Sequence, residues 1–371
     1  MTNKNRLLPR NFRKLSISER QKMLGFDESC LLSLEQANTM IENVTGVFGL
    51  PQALVPNFLM NDKLYQVPLV VEEPSVVVAL NYTSLLASKA GGFKAEADTP
   101  LLIGQVQIVD VKDQEKALEA LNQSKDQIIA KANQTMTRMV ARGGGVKDLR
   151  FKTYESMMVV EFFVDTCDAM GANHVNTLCE ALAPEIESLT GGVVLLRILS
   201  NLTDHALVRA QVTLPESALG TEVCDHIVLA NEFACVDTHR AVTHNKGIMN
   251  GIDALLVATG NDWRAVEAGV HAYASYEGAY KALTTWERLS CGSLRGAIEI
   301  PLKLGIVGDS LKANPAVKAN LELLGVESAT ELAMVTASIG LAQNLAALKA
   351  LVTTGIQHGH MKYNERCKTK E

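Results

Sequence analysis

The sequence has no Cys-x-x-Cys pair; its seven cysteines, at 30, 167, 179, 224, 235, 291 and 367, are scattered and odd in number. That pattern argues against a zinc framework or a disulfide scaffold and fits a reducing cytoplasm. An excess of positive charge is missing too: 35 Lys and Arg stand against 41 Asp and Glu, a formal net charge of −6. No extended basic stretch is present to neutralise a nucleic-acid backbone. No apolar run follows the N-terminal arm to act as a signal-peptide core. The most apolar helical stretch, 331–356, is interrupted by Ser338, Gln343, Asn344 and Lys349. Such groups are expensive in hydrocarbon, so a buried helix is expected there and not a membrane span.

Familiar nucleotide fingerprints are absent. There is no Gly-x-Gly-x-x-Gly and no Gly-x-x-x-x-Gly-Lys-Ser/Thr, and Gly143-Gly144-Gly145 follows a predicted helix where the dinucleotide motif precedes one. A dinucleotide must therefore bind in another way. Gly-x-Ser-x-Gly is also missing, with no Ser-His-Asp or Cys-His arrangement, which argues against a hydrolase or acyltransferase. Neither an internal repeat nor a low-complexity segment occurs.

What is present suits a two-domain globular protein: 371 residues, 47% hydrophobic and 20% charged. Met1 to Ser16 carries Lys4, Arg6, Arg10, Arg13 and Lys14, either a solvated tail or a small phosphate clamp. Helical spacing over 28–43 (Leu31, Leu34, Met40, Ile41) ends at Gly46. Val67 to Val71 predicts a strand running into Glu72-Glu73-Pro74-Ser75. Pro74 suits the first turn of the next helix, which Gly91 and Gly92 stop. Then come strand 101–111, helix 113–140, strands 148–154 and 157–165, helix 170–189 and strand 193–199. This β-α-β-β-α-β order predicts a ferredoxin-like unit inserted into a larger helix-rich domain, an α+β fold. Strand 207–214, helix 216–234, a Gly- and Asn-rich region from His244 to Gly269, and helices within 313–355 complete the chain.

Three polar islands interrupt apolar sequence in the way a recessed site does: 72–75, 243–251 and 260–264. Glu73 falls at a strand-to-helix junction, where the helix dipole and burial act oppositely on its proton. Alone it reads more often as a helix cap or a surface charge. Lys246 precedes Gly247, Asn250 and Gly251, expected as a loop or helix start open to a ligand. Asp262 follows in a tight turn, so a Lys–Asp pair across neighbouring loops is expected, catalytic or merely structural. Asp168-Ala169-Met170-Gly171-Ala172-Asn173 ends a strand and opens a helix whose free amides suit a phosphate.

Together these segments resemble class II 3-hydroxy-3-methylglutaryl-coenzyme A (HMG-CoA) reductase. The similarity lies in Glu42 to Gly46, Val71 to Ser75, Asp168 to Asn173, Arg197 to Asn201, Thr243 to Asp253 and Gly260 to Gly269, in order and spacing, covering about residues 7 to 363. The resemblance implies reduction of HMG-CoA to mevalonate and CoA, in isoprenoid biosynthesis, by a cytoplasmic homodimer with shared sites, without metal, nucleic-acid or membrane partners. It implies a discontinuous large domain (1–100 and 205–360), a small dinucleotide-binding domain (101–204) and the start of a C-terminal lid (361–371).

Residue roles follow the same resemblance. Lys246 faces the developing oxyanion as a buried ammonium, Glu73 donates a proton, Asp262 tunes both, and His360 protonates the CoA thiolate. Arg13, Ser75, Arg240 and Asn250 fall on substrate positions, with Arg240 suited to the free carboxylate. Asp168, Met170, Gly171, Asn173 and Asn201 fall on dinucleotide positions. Members using NAD carry an acid near the end of the first small-domain helix. Here the stretch reads Asn133-Gln134-Thr135-Met136-Thr137-Arg138, with no acid, so NADPH is expected over NADH. The family continues past its histidine into a closing lid, whereas this sequence ends eleven residues after His360. Impaired turnover with retained binding is the corresponding expectation. Rival readings are another CoA-thioester enzyme and a non-catalytic dimeric binder.

Overall fold

The computed structural model describes residues 7–9, 11–308, 311 and 313–355 of the chain. Lys4, Arg6, Arg10, Cys367, His360 and the proposed lid start at 361–371 lie outside the described residues. In chain order the helices are α1 (Ile17–Leu24), α2 (Leu34–Met40), α3 (Pro74–Ser88), α4 (Gln114–Gln123), α5 (Lys125–Thr135), α6 (Thr137–Val140), α7 (Ala172–Thr190), α8 (Thr221–Val236), α9 (Thr238–Ala258), α10 (Trp263–Tyr273), α11 (Pro315–Leu324) and α12 (Ala329–Val352). The strands are β1 (Gln52–Met60), β2 (Lys63–Val70), β3 (Lys94–Ala97), β4 (Leu101–Val109), β5 (Gly145–Thr153), β6 (Met158–Asp165), β7 (Val193–Leu199), β8 (Leu207–Leu214), β9 (Thr284–Arg288) and β10 (Leu294–Pro301).

Asn61 and Asp62 both take positive φ (47° and 62°), the conformation a two-residue hairpin turn requires, and so β1 folds back on β2. At the bulge in β1, Asn57 accepts from the Leu8 amide (2.9 Å) and donates to its carbonyl (3.0 Å). With Leu8 and Phe12 buried, this stretch of the N-terminal arm is docked and not a solvated tail.

Strands β4 to β7 form an antiparallel sheet in the order β5-β6-β4-β7, with α4, α5 and α7 packed against it. This is the ferredoxin-like order expected from the sequence. Leu102, Val106, Phe162, Val164, Leu178 and Ile186 belong to the unit's own core. The expected helix 113–140 is three helices, because the axis breaks at Ser124 and Met136.

The flanking region is less purely helical than expected. It contains a second four-stranded antiparallel sheet, β3-β8-β10-β9, of which only β8 was anticipated. The expected helix 28–43 reduces to a 3-10 turn and α2, because Ser33 caps a new start through the Gln36 amide and side chain. Likewise 216–234 divides into a 3-10 turn and α8. The region from His244 to Gly269 is not a loop; it lies mostly in α9 and α10. Its glycines serve helix contact. A Cβ on Gly251 would meet Ile339 and Gln343 of α12 at 3.1 Å, and one on Gly340 would meet Ile252 and Ile248 of α9 at 2.9 and 3.0 Å.

Helix α12 is long and apolar enough to cross a membrane by length and composition, yet most of it is buried among α3, α8, α9 and the second sheet. Its polar residues explain themselves inside this packing. Asn344 Oδ1 accepts from Trp286 Nε1 (2.8 Å), and Asn344 Nδ2 lies 3.0 Å from His244 Nε2. Thr284 Oγ1 is 2.6 Å from that nitrogen and bonds Asn231 (3.1 Å). Burial lowers the His244 pKa to about 4, so the ring is neutral and can accept.

Candidate active site

Glu73 caps α3 with extended backbone (φ −89°, ψ 116°) and Pro74 occupies the first turn, as the sequence predicts. The Glu73 side chain makes no capping bond to the helix; its Oε1 accepts from Ser75 Oγ. Lys246 projects from the interior of α9, and its Nζ lies 3.9 Å from Glu73 Oε2. The structure thus brings Glu73, Ser75 and Lys246 together across two helices that are far apart in sequence.

Two expectations change here. Lys246 lies inside a helix, in neither a loop nor a helix start, and its side chain is 66% exposed in the single chain, so the ammonium is open to solvent and not buried. Asp262 caps α10 through the Ala265 amide (3.1 Å) and lies 3.8 Å from Arg264 Nε. Twelve residues of α9 separate Lys246 from Ala258, about 18 Å at the usual helical rise, and the chain then turns towards α10. Asp262 pairs with Arg264, and no Lys246–Asp262 ion pair forms within one chain among the described residues.

Helical spacing places Asn250 and Asp253 on the Lys246 face of α9, at i+4 and i+7. Asp253 was not anticipated from the sequence, although that spacing signals it. Its Oδ1 is buried without a hydrogen-bond partner, and its pKa is raised by burial and then by Glu267 of α10, against a smaller opposing pull from Lys246. Arg240, in the first turn of α9, is half-buried, and burial lowers its pKa while leaving it a cation. Arg13 is exposed beside the buried Phe12.

The second cluster lies where β6 runs into α7. Gly171, at φ +95°, caps α7, and a Cβ there would overlap Thr166 at 2.4 Å. No side chain caps α7, so its first-turn amides remain available to an anion. Asn173 is exposed in that turn. Leu199, at the end of β7, donates to Asn176 Oδ1 of α7 (2.9 Å), so Asn201, two residues on, is held beside the same turns. Asp168 is engaged structurally: Oδ1 accepts from the Ala329 amide (2.8 Å) at the start of α12.

Arg138, exposed on α6, flanks the same loop. Met139 bonds the Gly144 amide (3.1 Å), and Cys167 Sγ lies 3.7 Å from the Arg142 carbonyl. Lys147 Nζ reaches the Gly143 carbonyl (2.7 Å). Arg138, Arg142 and Lys147 therefore form a basic rim beside residues 166–171. Lys303 was missed by the sequence reading, which had no motif to flag it. It is 4% exposed, and burial lowers its pKa to about 8.

A sequence profile of the family described as Hydroxymethylglutaryl-coenzyme A reductase matches residues 11–365. The 3-hydroxy-3-methylglutaryl-coenzyme A reductase of Archaeoglobus fulgidus is 46% identical, across 96% of this chain and 85% of its own. A Borreliella burgdorferi protein named as a probable reductase of this kind is 35% identical over the same shares. A solved Streptococcus pneumoniae reductase superposes with a TM-score of 0.90 at 43% identity, covering 96% of this chain and 90% of that one. A second, described as the class II enzyme bound to NADPH in open conformations, gives 0.89 at 43% identity, covering 93% and 99%.

Proposed function

The chain belongs to the hydroxymethylglutaryl-coenzyme A reductase family, and from that premise we propose how its residues divide the work of reducing a CoA thioester to an alcohol. The reaction converts HMG-CoA to mevalonate and free CoA. Four electrons arrive as two hydrides, one to the thioester carbon and one to the aldehyde carbon left when the thiolate departs. NADPH, when bound, supplies each hydride. The remaining demands fall on side chains: neutralising charge on the carbonyl oxygen, protonating it, and protonating the thiolate.

Lys246 faces that oxygen, where a fixed cation contributes most once water is excluded. Glu73 stands within reach of Lys246 and donates the proton, and Ser75, bonded to Glu73, helps orient it. Arg240 takes the free carboxylate of the acyl group in a bidentate pair, and Asn250 shares the Lys246 face. Arg13 contacts CoA. His360, outside the described residues, protonates the thiolate. The observation that carries this reading is the 3.9 Å approach of Lys246 to Glu73 across α9 and α3.

Residues 1–100 and 205–360 act as the substrate domain, and residues 101–204 hold the dinucleotide. The uncapped start of α7 suits the pyrophosphate, with Asn173 and Asn201 at its margin, while Asp168, Met170 and Gly171 shape the loop. Arg138, Arg142 and Lys147 suit a 2′-phosphate, which supports NADPH over NADH.

Asp262 reaches Lys246 from a second copy of the chain, since within one copy it pairs with Arg264 and not with Lys246. Exposed stripes support that copy: Val78, Tyr82 and Leu85 on α3, and Leu229, Phe233 and Val236 on α8, each at i, i+4, i+7. A cytoplasmic homodimer fits the free cysteines of the described residues. The test is nicotinamide oxidation followed spectrophotometrically. HMG-CoA-dependent NADPH consumption supports the reductase; thiol release without it points to a hydrolase, and neither activity to a binding protein.

A further inference from the structure

A strap of large-domain chain, residues 302–307, runs from the end of β10 past the loop that opens α7. Leu302, Lys303 and Leu304 are all buried. Lys303 Nζ donates to the Ala169 carbonyl (2.9 Å) and reaches the Cys167 carbonyl at 3.4 Å. Asp165 and Asp168, from the same loop, draw the ammonium electrostatically. A buried cation is costly unless paired and bonded, so the loop's inward carbonyls and acids are what make this placement tolerable.

Other contacts fasten the same strap. The Ile306 amide donates to the Asp168 carbonyl (2.9 Å). Gly305 lies so close to the loop that a Cβ on it would stand 2.5 Å from the Met170 nitrogen. Asn261, the residue before Asp262, grips Gly305 from the other side: Oδ1 accepts from its amide (2.8 Å) and Nδ2 donates to its carbonyl (3.1 Å). The loop of the small unit is thus tied to the turn between α9 and α10.

We propose that Lys303 is a positioning residue for the dinucleotide, holding the 166–171 loop through the Ala169 and Cys167 carbonyls so that the start of α7 is presented in one geometry. It touches no reacting atom. This rests on the reading that the loop and α7 receive the dinucleotide, and the experiment separates the two claims.

Lys303→Met keeps the volume and removes the charge. It leaves the Ala169 and Cys167 carbonyls without their donor, so thermal unfolding is expected at a lower temperature. Direct NADPH binding, followed by nicotinamide fluorescence, is expected to weaken about tenfold, the scale of one lost charge-assisted hydrogen bond, with HMG-CoA affinity within about twofold of wild type. A merely structural lysine gives a different pattern, with both affinities shifted together, and that result overturns the proposal. Gly305→Ala, which retains Lys303 and pushes on Met170, is expected to show the same selective loss and serves if Lys303→Met does not fold. Asn173→Ala is the control on the underlying reading. If it weakens NADPH binding while both strap variants do not, Lys303 has no positioning role; if none of the three weakens it, the loop is not the dinucleotide site.

Discussion

The two halves of the candidate site are built differently. Around Lys246 the side chains are open: the lysine is 66% exposed, its carboxylate partner sits at 3.9 Å, and Asp262 pairs with Arg264 instead. Around residues 166–171 the backbone is closed in, by Lys303, Ala329, Ile306 and Gly305, all from the same chain. On the proposed reading the dinucleotide side is preorganised within one subunit, while the substrate side is left for a partner and the ligand to complete. Preorganised dipoles act without reorganisation, whereas an exposed ammonium is screened until water is excluded.

The largest effect that sharpens this contrast is expected from Lys246→Ala. Removing an oxyanion partner lowers kcat by about 10²–10³, and NADPH affinity should remain near wild type by direct titration, because the two clusters rest on different elements. Comparable losses in both would dissolve the distinction.

Next in size is the response to acid beneath the catalytic helix. His244 is neutral in a buried network with Thr284 and Asn344, its pKa lowered from 6.5 to about 4. Between those values the unfolded chain binds more protons. Stability is thus complete above pH 6.5, declines as pH falls and levels out below about 4, a loss of about 3 kcal/mol. Denaturant unfolding across that range, set against His244→Gln, reads it as a slope that the variant lacks.

Smallest is Arg138→Ala at the rim. NADPH affinity should fall about tenfold, on the scale of one charge-assisted hydrogen bond, with NADH binding unchanged. Equal losses for the two dinucleotides would remove Arg138 from 2′-phosphate recognition.

Much of this architecture was legible where the signal is local. Alternation and helical spacing between 101 and 199 predicted six elements in order, because each carries its own periodicity, although only β5 and β6 pair as chain neighbours. Pro74 after Glu73 marked a helix start just as locally. The second sheet was hidden: β3 is four residues long, β9 is five, and the β3–β8 and β8–β10 pairings join strands far apart along the chain. Helix α9 was misread because Gly247, Asn250 and Gly251 argue against helix by propensity. Close packing of Gly251 and Gly340 overrides that preference. The motifs placed Glu73 and Lys246 in one site, yet could not show that Asp262 caps α10 and pairs with Arg264. Lys303 had no local signature at all, since only the fold brings it to Ala169.

Mixed assembly of two inactive variants tests the central claim most directly. If Lys246 of one subunit works with Asp262 of another, then refolding Lys246→Ala and Asp262→Ala chains together restores one intact site in each hybrid dimer. Random pairing of equal amounts gives about a quarter of wild-type turnover per chain. A mixture no more active than its two components assayed separately would contradict a site completed between subunits.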